Sequence, residues 1–276
     1  MKFGIAFLLM AALSTRTLVT RPVANLYKSS AKDVEVVSQA IYGTEVEVLE
    51  EKADWIRVRT PDAYQGWMWR GDVICSSAER PRGKFVSVSG LFANLYAQSS
   101  ISKQAPLLTV PYETKLEQVD SKQEQSDGRW LQVYLVDGGT AWVEEAAITA
   151  HSETLNARKT IEHAKRFVGL PYLWGGVSTY GFDCSGFVQM LGRRRGVNLP
   201  RDARLQVFWN GFQEVEKPDW RPGDFLYFGQ SLDRVTHTGM YIGGGMMIHA
   251  ASPYIRIQAV DEVVQTRGLV FGRRLK

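Results

Sequence analysis

A stretch of this chain is written twice, and that constrains its fold more than any other feature. Residues 23–30 read VANLYKSS and residues 92–99 read FANLYAQS. Further on, DWIRVRTPDAYQGWMW (54–69) aligns with GRWLQVYLVDGGTAWV (128–143). In both copies a Trp is followed by another twelve positions later, Trp55 to Trp67 and Trp130 to Trp142. Two matches in the same order mark a duplication. Each copy, about 60 residues long, is expected to be one structural unit with its own core.

Each copy reads as all-β. TEVEVLEE (44–51) alternates apolar and polar residues after Gly43, WIRVR (55–59) alternates again, Pro61-Asp62 makes a turn and GWMW resumes a strand. Short strands with aromatic residues and tight turns suit a small barrel. The pattern of Trp, alternating strand, turn and Gly-Trp-aromatic resembles the SH3-like domains of bacterial cell-wall proteins. The second copy departs from it, with Ala141 where the first has Gly66. For that copy a spacer barrel without a ligand is as good an expectation as a binding role.

The only long apolar run, Phe3 to Leu13 behind Lys2, is shorter than the ~20 residues a membrane-spanning helix needs. With Ala12 and Ser14 at its end it reads as a secretory signal peptide within residues 1–20, cut after Ser14. Export to the periplasm or cell envelope is expected, without an integral membrane segment. Hydrophobic residues make up 45% of the chain and charged residues 22%, which excludes wholesale disorder. A net charge of +4, dispersed along the chain, argues against nucleic-acid binding while suiting an anionic polymer. Cys75 and Cys184 lie 109 positions apart, too few to build a disulfide framework and not spaced as a zinc pair. Cys75 is expected to be an inert core residue.

After residue 150 the pattern changes. Ile161, Ala164, Phe167 and Val168 recur at helical spacing behind Ser152 or Thr154 as caps, and Gly169 and Pro171 stop the helix. A second helix is predicted from about Asp183 to Arg195. Phe187, Met190 and Leu191 form its apolar face, Arg193, Arg194 and Arg195 crowd its C-terminal end and Gly196 closes it. The strand FLYF (225–228) follows Pro222-Gly223-Asp224, and a hairpin turns at Gly243, Gly244 and Gly245. The whole chain is therefore expected to be α+β: small all-β SH3-like domains at 21–80 and 81–150, then an α+β domain at 151–276.

The chemistry concentrates in this last segment. Cys184 starts the second helix beside Asp183 as its cap, and the positive helix end is expected to hold its pKa below the ~8.5 of a free cysteine. A thiolate needs a base. If Gly243 to Gly245 form the loop, Ile242 opposes Met246, and His237 and His249 become diagonal neighbours on one face, about 7–8 Å apart at Cα. A loop of another length needs a bulge to keep that register. A Cys at a helix start, a His on a strand and a second polar residue to hold its tautomer follow the logic of nucleophile, base and orienter. The same three residues could ligate zinc, but their spacing across a hairpin is unusual for that metal and a fourth ligand is unassigned. His151 and His163 are expected at the surface.

The motifs from residue 156 onward are GLPY (169–172), WGG (174–176), FDCSGF (182–187), LPR (199–201), PGD (222–224), His237 with Gly239 and YIG (241–243), and IHA (248–250). Together they resemble the NlpC-type, papain-like cysteine peptidases of bacterial cell walls. The resemblance implies a papain-like fold, Cys184 as nucleophile, His237 as base and then acid, and His249 as orienter of the imidazole. It also implies Tyr172 and the Cys184 amide as donors to the oxyanion, Asp183, Ser185 and Trp174 in the substrate cleft, and no metal or other cofactor.

The SH3-like domains ahead narrow the resemblance to the γ-D-glutamyl-L-diamino-acid endopeptidases. There an Asp binds the free amine of an N-terminal L-Ala, and a Tyr before the first Gly-Trp closes the pocket. Asp202 and Tyr64 match those positions, and the second copy has no Tyr at the aligned place. Ala203 stands where many relatives carry Ser or Thr, and Thr238 where an apolar residue is usual. Glu35 falls near the amine site by position, although a solvated strand residue is the plainer reading. The expectation is an exported, monomeric enzyme that hydrolyses the γ-D-Glu–diamino acid bond (meso-diaminopimelate or L-Lys) of peptidoglycan peptides with a free N-terminal L-Ala, in wall turnover or recycling. Two alternatives stay open. One is an endopeptidase on glycan-linked stems, which Asp202 speaks against; the other is a non-catalytic wall-binding protein, which the Cys-His-His set speaks against.

Overall fold

The computed structural model describes residues 16–76, 83–102, 104–119, 128–150 and 153–276; most of the expected signal peptide, Ser152 and His151 lie outside them. In the first unit the strands are β1 (Arg16–Val19), β2 (Val23–Tyr27), β3 (Val36–Ile41), β4 (Glu45–Lys52), β5 (Trp55–Arg59), β6 (Gln65–Trp69) and β7 (Val73–Ser76). They join in one sheet of order β3-β2-β6-β5-β4-β1-β7. Alternation explains the inner face: Val46 and Val58 are buried with Leu26, Ile56 and Met68, while Glu45 and Glu47 point to solvent. Because β1 starts at Arg16 and pairs with both β4 and β7, the first unit begins ahead of residue 21. Cys75 corrects a second expectation. It lies on β7, at the sheet edge opposite Thr17, and is exposed, because an edge strand turns alternate residues to solvent.

The second unit contains β8 (Phe85–Val88), β9 (Phe92–Leu95), β10 (Leu108–Pro111), β11 (Lys115–Gln118), β12 (Trp130–Tyr134), β13 (Thr140–Glu144) and β14 (Ile148–Thr149). Five of them form a sheet of order β13-β12-β11-β8-β14, and β9 pairs with β10. The duplicated hairpins keep one register: Val58 faces Gly66 in the first copy, and Val133 faces Ala141 in the second. The Gly/Ala difference has a packing reason. A Cβ on Gly66 would stand 2.9 Å from the Leu26 Cβ.

In the third unit, α1 (Ala157–Lys165) is capped by Asn156, which accepts from the Lys159 amide at 2.9 Å. The helix thus starts later than Thr154 suggests, and Val168, beyond its end, is exposed while Phe167 is buried. A short hairpin, β15 (Val177–Ser178) and β16 (Gly181–Phe182), leads into α2 (Cys184–Arg194), whose Phe187, Met190 and Leu191 are fully buried. After α3 (Ala203–Gln206) come β17 (Phe212–Val215), β18 (Phe225–Gly229), β19 (Val235–Gly243), β20 (Met246–Ala251), β21 (Tyr254–Ala259), α4 (Val260–Arg267) and β22 (Leu269–Leu275). These strands make an antiparallel sheet of order β17-β22-β18-β19-β20-β21, and α2 packs on β19 and β20.

Both β units are fastened to this α+β unit. The first contributes Asp62, which accepts from Gln189 on α2 at 2.9 Å, and Gln39, which accepts from the Val177 amide at 3.2 Å. The second contributes Glu113, held by both Arg193 Nε (3.0 Å) and Nη2 (2.7 Å), and Tyr112, which enters the core beside Phe167. The second unit is thus packed against the α+β unit. His163 is also misplaced by the sequence reading: it is partly buried against Tyr112 and Phe167, with both ring centroids at 5.3 Å.

Candidate active site

Cys184 is the first residue of α2, and the chain leaves α2 little freedom over where to start. The Asp183 carboxylate accepts the Gly186 amide at 2.7 Å, and a side chain at Gly186 would run into the Gly176 carbonyl. Arg201 grips the same carboxylate, Nη2 to Oδ2 at 2.6 Å and Nη1 to Oδ1 at 3.1 Å. It also donates to Ser185 Oγ at 2.9 Å and to Ser38 Oγ, from the first unit, at 3.0 Å. Arg201 is 2% exposed, and Asp183 and Ser185 are buried with it. Asp183 and Ser185, expected in the substrate cleft, flank the nucleophile on either side. Their polar atoms are occupied by internal partners, and they hold the helix start.

The histidine pair comes from the β19–β20 hairpin. Met240 opposes Ile248 and Tyr241 opposes Met247, after which a bulge at Ile242 brings Gly243 opposite Met246. The turn is Gly244 and Gly245 alone, one residue shorter than expected, and the bulge restores the register. His237 and His249 are diagonal neighbours as that register requires, with Nε2 of the first 2.7 Å from Nδ1 of the second. Gly239 leaves room for them: a Cβ there would stand 2.8 Å from the His249 Cβ and 2.9 Å from the Ile248 carbonyl oxygen. On its far side His249 Nε2 lies 3.1 Å from Gln258 Oε1. Burial holds His249 down to about 4 and His237 well below the usual imidazole value, and the cationic Arg256 and Arg267 act in the same direction. Both rings are neutral at pH 7.

The amides of Thr238 and Ser185 lie close enough to the Cys184 sulfur to favour its thiolate, which sets it near β19, where Thr238 follows His237. Burial nevertheless pushes its thiol up to about 12; the Asp183 charge adds to this, and the two amides and Arg201 oppose it. The lowered pKa expected from the helix start is therefore overturned. A helix terminus contributes at most about 2 kcal/mol, whereas full burial shifts a pKa by up to about 3–5 units, roughly 4–7 kcal/mol. Burial thus favours the neutral form of both the Cys184 thiol and the His237 imidazole. Tyr172 lies close enough to feel Cys184 and Asp183, and burial above all holds its phenol at about 12, so it stays a hydroxyl donor at pH 7.

Where the first unit meets this site, Trp174 is 61% exposed and its indole donates to Glu35 Oε1 at 3.1 Å. Glu35 stands exposed just before β3 and also pairs with Lys28 at 3.2 Å. Tyr64 lies in the same seam. Burial raises its phenol, as do Asp202 and Glu35, while Arg201 and Arg204 pull the other way. Asp202 precedes α3 without capping it, and meets Arg204 at 3.5 Å. Ala203 is buried, its side chain packed with the core of the α+β unit. Among the described residues no three of His, Cys, Asp or Glu are gathered as metal ligands.

Sequence reasoning missed two participants. Arg201 was visible only as part of LPR, and its partner Ser38 lies 163 positions away. Gln258 belongs to YIRIQA, an unremarkable strand whose pairing with β20 puts Gln258 opposite Met247, near His249.

A profile of the NlpC/P60 family matches residues 169–274. Profiles of the bacterial dipeptidyl-peptidase Sh3 domain and of the GW (Gly-Tryp) dipeptide domain match residues 26–72 and 85–149. A gamma-D-glutamyl-L-lysine dipeptidyl-peptidase of Bacillus cereus is 33% identical over 242 residues, 82% of this chain and 69% of that protein. Its namesake from Bacillus subtilis is 28% identical over 97% of this chain and 90% of its own. The crystal structure of an NlpC/P60 family protein from Bacillus cereus superposes with a TM-score of 0.80 at 27% identity, covering 94% of this chain and 99% of that one.

Proposed function

Because the chain belongs to the NlpC/P60 family, we propose that it is a cysteine endopeptidase cutting the γ-D-glutamyl–diamino acid bond of peptidoglycan peptides whose N-terminal L-Ala is free. In this reading the Cys184 sulfur attacks the γ-carbonyl carbon of D-Glu while His237 takes the thiol proton. The two neutral partners make this general-base attack, with no ion pair formed beforehand. His249 accepts a hydrogen bond from His237 and steadies the imidazolium. The Tyr172 hydroxyl and the Cys184 amide donate to the oxyanion. As the carbon–nitrogen bond breaks, His237 returns its proton to the departing amine, leaving a thioester on Cys184. His237 then deprotonates water, which releases L-Ala-γ-D-Glu and restores the thiol.

One observation carries the specificity: Tyr64 and Glu35 of the first unit and Asp202 of the α+β unit share one seam, near the residues that hold the cysteine. Carboxylates and a phenol there reward an ammonium group and leave an acylated amine unmatched. That favours short, released peptides over glycan-linked stems, and fits a place at the cell envelope. The test compares hydrolysis of L-Ala-γ-D-Glu-L-Lys with that of its N-acetyl form. Acetylation is expected to lower kcat/KM by about a hundredfold or more, of the order lost when buried polar groups are left unpaired. Equal rates contradict the reading.

A further inference from the structure

The hydrogen-bond chain behind the histidines continues past the residues the reaction requires. Gln258 Oε1 lies 3.1 Å from His249 Nε2 and 3.2 Å from Arg256 Nε, and Gln258 Nε2 lies 3.0 Å from Glu262 Oε2. A guanidinium only donates and a carboxylate only accepts, so Arg256 and Glu262 together fix which end of the amide is which. Arg256 is itself anchored on the Ser252 carbonyl at 2.9 Å, and Glu262 sits in the first turn of α4, directly after β21.

The amide oxygen therefore faces His249, and His249 Nε2 must carry the proton that joins them. In a neutral ring Nδ1 is then the acceptor, so His237 Nε2 must donate across the 2.7 Å contact. That leaves His237 Nδ1 without a proton. We propose that Gln258, clamped between Arg256 and Glu262, is a positioning residue that sets the proton direction through both imidazoles and so presents His237 to Cys184 as a base. This rests on the assignment of Cys184, His237 and His249 made above.

The test is nitrogen NMR of the full chain carrying 15N-labelled histidine, which has only four residues to assign. In the wild-type protein both His237 and His249 should show a protonated Nε2 and a bare Nδ1; a proton on His237 Nδ1 overturns the proposal. Gln258→Leu should mix the tautomers of both rings and lower kcat about tenfold to hundredfold at little-changed KM, the cost typical of losing a partner that orients a histidine. Combining Gln258→Glu with Glu262→Gln keeps an acceptor facing His249 and should restore both readouts. Wild-type tautomers and kcat in Gln258→Leu refute the role of Gln258 and leave the catalytic assignment standing. Undiminished cleavage by Cys184→Ala refutes that assignment whatever the spectra show. If Gln258→Leu does not fold, the wild-type spectrum decides alone.

Discussion

Replacing Arg201 with methionine keeps the length of the side chain and removes its charge. Four hydrogen bonds disappear, two to Asp183 and one each to Ser185 and Ser38. The Asp183 carboxylate is left buried, with the Gly186 amide as its remaining backbone donor. Removing one partner of a buried ion pair costs about 3–5 kcal/mol, because the surviving charge stays desolvated. At about 2–4 °C per kcal/mol for domains approaching this size, Tm should drop by roughly 6–20 °C. Adding Asp183→Asn to Arg201→Met should recover part of the loss, since the unpaired charge is then gone. Ser38→Ala is the informative companion: it strips one acceptor from Arg201 at a cost of about 1–3 kcal/mol. Ser38 lies on β3 of the first unit, so any fall in kcat reports coupling from that unit to the start of the catalytic helix. Thermal unfolding by tryptophan fluorescence, with kcat and KM at a temperature where every variant is folded, reads both effects. An Arg201→Met protein that melts within about 2 °C of wild type and turns over normally refutes the reasoning.

Asp202→Asn should lower kcat/KM about tenfold to hundredfold for the free-amine tripeptide, the worth of a charge-assisted hydrogen bond, and leave the N-acetyl peptide almost unchanged; equal losses on both argue that Asp202 acts structurally. Gly239→Ala should destabilise the fold by about 1–3 kcal/mol and reduce kcat, because the new methyl presses on the His249 Cβ and the Ile248 carbonyl; normal kinetics contradict this. Burial, with Arg166 and Arg194 nearby, holds His163 down to about 4. A lowered histidine stabilises the fold fully above the unfolded value of ~6.5 and loses that contribution as pH falls toward the folded value. His163→Phe should therefore lose less Tm than wild type between pH 7 and pH 5, and an identical loss overturns the assignment.

What the sequence makes legible here is local. Alternation in WIRVR and the glycine turn marked the strands of both hairpins, and the diagonal histidines followed once the bulge at Ile242 made up for a turn one residue shorter than expected. Asp183 as a cap and the buried face of α2 were equally open to reading. Properties set by distant packing were not. A helix end is visible in the sequence while the burial of the Cys184 sulfur is not, and burial reversed the expected direction of its pKa. Cys75 looked like core because nothing local marks β7 as the sheet edge. Arg201, Glu35 and Gln258 acquire partners only when separate elements meet.

The covalent intermediate offers the most direct measurement. Wild-type protein mixed with L-Ala-γ-D-Glu-L-Lys, quenched in acid during turnover and digested, is analysed by peptide mass. The L-Ala-γ-D-Glu acyl mass should appear on the fragment containing Cys184, be absent from the fragment containing Cys75, and vanish with Cys184→Ala along with all hydrolysis. Turnover that continues in Cys184→Ala contradicts the account.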